Sequence, residues 1–119
     1  MELTAKELAL QIVEILKEKK AHDVRLLHVE AQTVLTDYLV ICEGTSSTQI
    51  HAIADEVRFV LKEKFDIDVH GADGVNEATW VVLDYLHVMV HVFSREARAF
   101  YNLEKLWQDA VEEPIDDEA

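Results

Sequence analysis

The feature that most limits how this chain can fold is a short run, Tyr38-Leu-Val-Ile-Cys42, apolar at every position. It is too short for a buried helix, and a half-exposed strand would alternate, so it reads as a central strand covered on both faces. A sheet built around it needs helices packed against it.

Flanking segments supply them. Thr4-Ala-Lys-Glu7 has capping-box spacing, and Leu8, Ile12, Ile15 and Leu16 then recur at helical intervals. Ile50, Ile53, Ala54, Val57 and Leu61 predict a second helix over residues 46–64. Phe100, Leu103, Trp107 and Ala110 predict a terminal helix broken near Asn102. "DVRLLHVE" reads as a first strand and "AQTVLTD" as the connection into the apolar run. "FDIDVHG" alternates, with Phe65, Ile67 and Val69 facing one way, which predicts an edge strand followed by a loop, "ADGVNEA". "TWVVLDY" and "VMVHVF" are two strands with Leu86 and His87 between them, a tight hairpin. The expectation is an α+β chain: one mixed sheet of about five strands in the order α-β-β-α-β-β-β-α, with helices packed on it. Residues 1–111 form one domain, and the acidic residues 112–119 a solvated tail.

Charge narrows the function. The formal charge is −13, and without the five acids of the last eight residues it is still −8. Such a surface repels phosphate backbones, so little direct nucleic-acid contact is expected, whereas a basic protein partner fits. No apolar stretch reaches membrane-spanning length. The single cysteine, Cys42, lies in the apolar run, so a reducing, cytoplasmic setting is expected.

Sites for chemistry are sparse. "GTSSTQ", Gly44 to Gln49, could cradle a phosphate, but the P-loop lysine is absent and no Lys or Arg occurs between Arg25 and Arg58. The S-x-x-Q spacing of Ser46 and Gln49 favours a helix cap. A rival reading pairs Gly44–Ser47 with Asp66-Ile67-Asp68 as a metal-dependent, nucleotidyltransferase-like site. His87 and His91 are four apart in or beside a strand, roughly 13 Å, too far to share an ion. Neither cofactor nor metal is expected.

The hairpin carries more. Tyr85, Leu83 and Val81 pair with Val88, Val90 and Val92 on an aliphatic, core-directed face. The opposite face holds Trp80, Val82, Asp84, Met89, His91 and Phe93, a mixture suited to a protein interface.

"TDYLVICEGTSSTQIHAIADEV", "WVVLDYLHVMVHVF" and "FYNLEKLWQDA" resemble, in that order, the ribosome-silencing-factor family, also called Iojap-related proteins. The likeness runs from about Asp23 to Ala110. It implies a fold related to nucleotidyltransferases and no enzymatic activity. It further implies a translational repressor that binds the large ribosomal subunit through that subunit's fourteenth protein and sterically blocks association with the small subunit when nutrients are scarce. Trp80, Val82, Asp84, Tyr85, Met89 and His91 are the expected partner-binding residues, and a homodimer through the same apolar face is a further expectation. Two departures stand out: Ala72-Asp73-Gly74 replaces a usual Glu-Gly, and Leu86-His87 replaces a usual Gly-Asp at the hairpin.

Overall fold

The computed structural model describes residues 3–115. Helix α1 spans Ala5–Glu18, and its cap forms as the spacing predicts. The Glu7 N–H donates to Thr4 Oγ1 at 3.1 Å, and the Thr4 N–H donates to Glu7 Oε1 at 2.9 Å. Strand β1 is His22–His28 and β2 is Tyr38–Gly44, buried along its whole length. Helix α2 (Ser47–Phe65), β3 (Gly71–Asp73), β4 (Trp80–Asp84) and β5 (Val88–Ser94) follow. Short helices α3 (Arg95–Tyr101) and α4 (Leu103–Leu106) meet at Asn102, which is left-handed at φ +50° and makes the expected break. Strand β6 (Val111–Glu113) is the last of the described elements.

One mixed sheet of six strands holds these elements, in the order β3-β4-β5-β2-β1-β6. Strands β2 and β5 pair in parallel at its centre, and the hairpin register is the expected one, Val81 opposite Val92 and Leu83 opposite Val90. Side-chain alternation gives the sheet two faces. On the first, Leu26, Val40, Val81, Leu83, Val90 and Val92 are sealed beneath α1 and α2. On the second, Leu27, Leu39, Ile41 and Phe93 form a smaller core to which Leu103, Trp107 and Ala110 contribute.

Three expectations are corrected. The edge strand is Gly71–Asp73, not residues 65–71. Phe65 ends α2 and Asp66 caps it in the left-handed region, so Phe65, Ile67 and Val69 reach the core from a helix end and an extended segment. Their alternation reported burial but not pairing. The sixth strand lies where a tail was expected: Glu112 and Glu113 pair with Leu27 and Leu26. The open edge of β1 offers backbone partners to any extended segment, and the sequence "VEE" carries no periodicity to announce it. Ile115, also in the expected tail, packs against the first core, and residues 116–119 lie outside the described residues. Finally, the second capping box forms by half. The Gln49 N–H donates to Ser46 Oγ at 3.1 Å, but the Gln49 side chain accepts from the Thr45 N–H at 2.6 Å and donates to the Lys20 carbonyl at 3.2 Å.

Candidate functional site

Gly44 answers for itself sterically. A Cβ there would come within 2.9 Å of Ile50 Cγ1, so the glycine lets β2 turn tightly against the first turn of α2. The metal-dyad arrangement is not assembled. Gly44–Ser47 lie at the start of α2, whereas Asp66 and Asp68 follow its end, and a 19-residue helix at 1.5 Å per residue separates them by roughly 28 Å. Lys62 Nζ lies 2.8 Å from Asp66 and 3.3 Å from Asp68, and its hydrogen bond and charge lower the Asp66 pKa. Among the described residues no cluster of His, Cys, Asp and Glu could hold a metal ion.

At the carboxyl ends of β2 and β5 lies an open cleft of about 670 Å³. Its charges pair with one another. Buried Arg98 lies 3.3 Å from Glu43, 2.6 Å from Glu104 and 3.6 Å from Asp23, and Arg95 lies 3.1 Å from Glu43. The network clamps α3 and α4 to the ends of β1 and β2. Sequence reading missed it because Arg98 and Asp23 are 75 residues apart and no member has a local motif.

The second face of β4 and β5 is different. Here α3 and α4 leave the sheet partly uncovered, and Trp80, Val82, Asp84 and Met89 are half-buried. Trp80 is fixed at one end of this surface. Its indole N–H donates to His91 Nδ1 at 3.0 Å, and its ring packs on Phe93 at 5.1 Å and on Tyr101 at 4.5 Å. Accepting through Nδ1 leaves the His91 proton on Nε2, and burial pushes the His91 pKa down to about 4, so the ring is neutral at neutral pH. Gly74 sets the approach to Trp80: at φ +76° it lies so close to the Trp80 carbonyl that any Cβ would collide with it. At the other end, Asp84 Oδ1 accepts from the Leu86 N–H at 2.8 Å and braces the hairpin.

Five of the six expected contact residues, Trp80, Val82, Asp84, Met89 and His91, therefore share one face, although His91 is itself buried beneath Trp80. Tyr85 does not join them. It is buried on the first face, its hydroxyl has no protein partner, and burial pushes its pKa up to about 12. Its parity with Leu83 and Val81 puts it there. Tyr101 and Phe100 were missed as neighbours of this surface; Phe100 is 78 % exposed and stands edge-on to Tyr101 at 5.0 Å. In the strands themselves charge is one-sided: from Phe65 to Ser94 there is no Lys or Arg, Asp73 and Asp84 lie on the same face as Val82 and Trp80, and Arg95, which follows, pairs with Glu43.

Comparison with known proteins adds a family. Residues 2–119 match the sequence pattern of a family described as ribosomal silencing factor during starvation. A ribosomal silencing factor of Halalkalibacterium halodurans is 39% identical over 108 residues, covering 91% of this chain and 92% of that protein. One from Bacillus subtilis is 43% identical over 93 residues, 78% of each chain. The chloroplastic Iojap protein of Zea mays is 34% identical over 91% of this chain, which spans 47% of it. A crystal structure of a Chromobacterium violaceum protein superposes with a TM-score of 0.86 at 28% identity, covering 98% of this chain and 95% of that one. One from Bacillus halodurans gives 0.81 at 36% identity, covering 92% and 99%.

Proposed function

This chain belongs to the ribosomal silencing factor family, and from that premise we propose that it represses translation by occupying the large ribosomal subunit, through its fourteenth protein, on the side that meets the small subunit. The coarser part, a ribosome-associated translational regulator, follows from family membership. Occlusion needs neither a cofactor nor turnover, only a surface that binds and a body that blocks. Such a body acts in the cytoplasm, where the subunits join.

The observation that carries this reading is the half-open face of β4 and β5. It presents a pre-positioned tryptophan beside Val82 and Met89, with Asp73 and Asp84 on the same face and no cation from Phe65 to Ser94. An aromatic anchor fixed before binding loses little conformational entropy, and the carboxylates steer a basic partner toward it. A homodimer through this face would cover the same residues, so dimerisation and ribosome binding would compete; sedimentation at several protein concentrations reads that competition.

Mixing the purified protein with separated subunits and following it through a sucrose gradient tests the proposal. Co-migration with the large subunit and a reduced fraction of joined ribosomes is the expected result. Failure to migrate with either subunit, or undiminished joining at saturation, overturns it.

A further inference from the structure

Three aliphatic side chains stand in solvent at one end of the sheet, where β2 begins and the β4–β5 hairpin turns. Val34 is 101 % exposed, Leu35 77 % and Leu86 53 %. The loop bearing the first two is tied to the hairpin. The Asp37 and Tyr38 N–H groups both donate to the His87 carbonyl, at 3.0 and 3.1 Å, and Asp37 Oδ2 lies 3.3 Å from His87 Nδ1. The patch is therefore a braced surface and not two independent loops.

Leu86 is there at a cost. Its φ is +72°, and the His87 N–H donates to the Tyr85 carbonyl at 2.9 Å across it, the rarer γ-turn with a positive central φ. An L-residue with a Cβ loses about 1–2 kcal/mol in that region, which glycine would avoid. Leu86 fills no core that would offset this, since most of its side chain faces water. Strain held at an exposed position points to a contact made outside the chain.

Charge says what kind. Asp84 accepts from the Leu86 N–H, Asp37 lies against His87, and no Lys or Arg occurs in residues 26–57 or 65–94; Lys6 and Arg58 approach Tyr38 and Tyr85 from the helices of the first face. The patch also continues the open face, because Asp84 pairs with Met89 in the last rung before the turn. We infer that Val34, Leu35 and Leu86 form a second, apolar contact with the same basic ribosomal protein surface, Leu86 entering an apolar hollow flanked by cations. This rests on the function proposed above and deepens it: Trp80 at one end and Leu86 at the other grip one partner, and Leu86 sets which partner surface is accepted.

Leu86→Gly and the double variant Val34→Ser/Leu35→Ser test this, with Trp80→Ala as reference, each titrated against isolated large subunits and each melted alone. Leu86→Gly should bind about tenfold more weakly while its melting midpoint stays level or rises, because the variant loses a contact and relieves strain. The double variant should bind more weakly to a similar degree with its midpoint unchanged, since its side chains are in solvent. If wild type binds, Trp80→Ala is weakened and both tip variants match wild type, the tip contact is wrong and the function stands. If wild type does not bind the large subunit, both fall.

Discussion

The two faces of this sheet are made by alternate residues of the same strands, yet they are closed by different physics. The first is sealed by two long amphipathic helices over aliphatic side chains, and Val81, Leu83, Val90 and Val92 are wholly buried there. The second is covered over β1 and β2 by two short helices, held by a small apolar cluster and by the Arg98–Glu43 clamp, and is half-open over β4 and β5. A sealed face contributes stability and tolerates little change. A half-open face contributes less to stability and leaves side chains available to a partner. Trp80 and Leu83, three residues apart on one strand, thus have different work.

Perturbing each closure in turn sharpens that contrast. The largest effect is expected from Arg98→Met, which leaves Glu43 buried with only Arg95 beside it and should cost about 3–5 kcal/mol in chemical denaturation. Loosening should be greatest in α3 and α4, visible as faster amide exchange there than in α1. On the sealed face, Leu83→Ala should cost about 2–5 kcal/mol through lost burial and a cavity, without altering the half-open face. Acid should reach the second face through His91. Its ring is held near 4, below the ordinary value of 6.5, so between those values the unfolded chain binds a proton that the folded chain does not. Stability should therefore fall as the pH drops from 6.5 toward 4, by about 3 kcal/mol from this group, and level off below. His91→Gln should flatten that segment of the profile. The smallest effect is expected at Tyr85, whose buried hydroxyl has no protein partner: Tyr85→Phe should be neutral or stabilising, by up to about 1 kcal/mol. A loss of more than that would mean the hydroxyl is satisfied.

What was legible in the sequence follows the same division. Helices α1 and α2, β2 and the hairpin register were readable because burial imposes a period on consecutive residues, and Ser46 and Thr4 mark the helix starts. The mixed face of β4 and β5 was readable because residues of one parity are Trp, Val and Asp while those of the other are aliphatic. The same parity keeps Tyr85 off the contact set, in which the family resemblance of the strand from Trp80 to Tyr85 had included it. Strand β3 was misplaced and β6 was not expected, because their pairing is decided by partners distant in sequence: Ala72 meets Leu83, and Glu113 meets Leu26. The Arg98 clamp and the stacking of Tyr101 on Trp80 were invisible for the same reason, since neither leaves a local pattern.

Under the proposed function the half-open face binds the ribosome while the sealed face only holds the fold. Trp80→Ala tests it most directly, with affinity for the large subunit and unfolding free energy measured on the same preparation. A binding loss of at least roughly thirtyfold, about 2 kcal/mol, is expected in a protein that still unfolds cooperatively and keeps most of its stability. Wild-type affinity in a folded Trp80→Ala protein would contradict it.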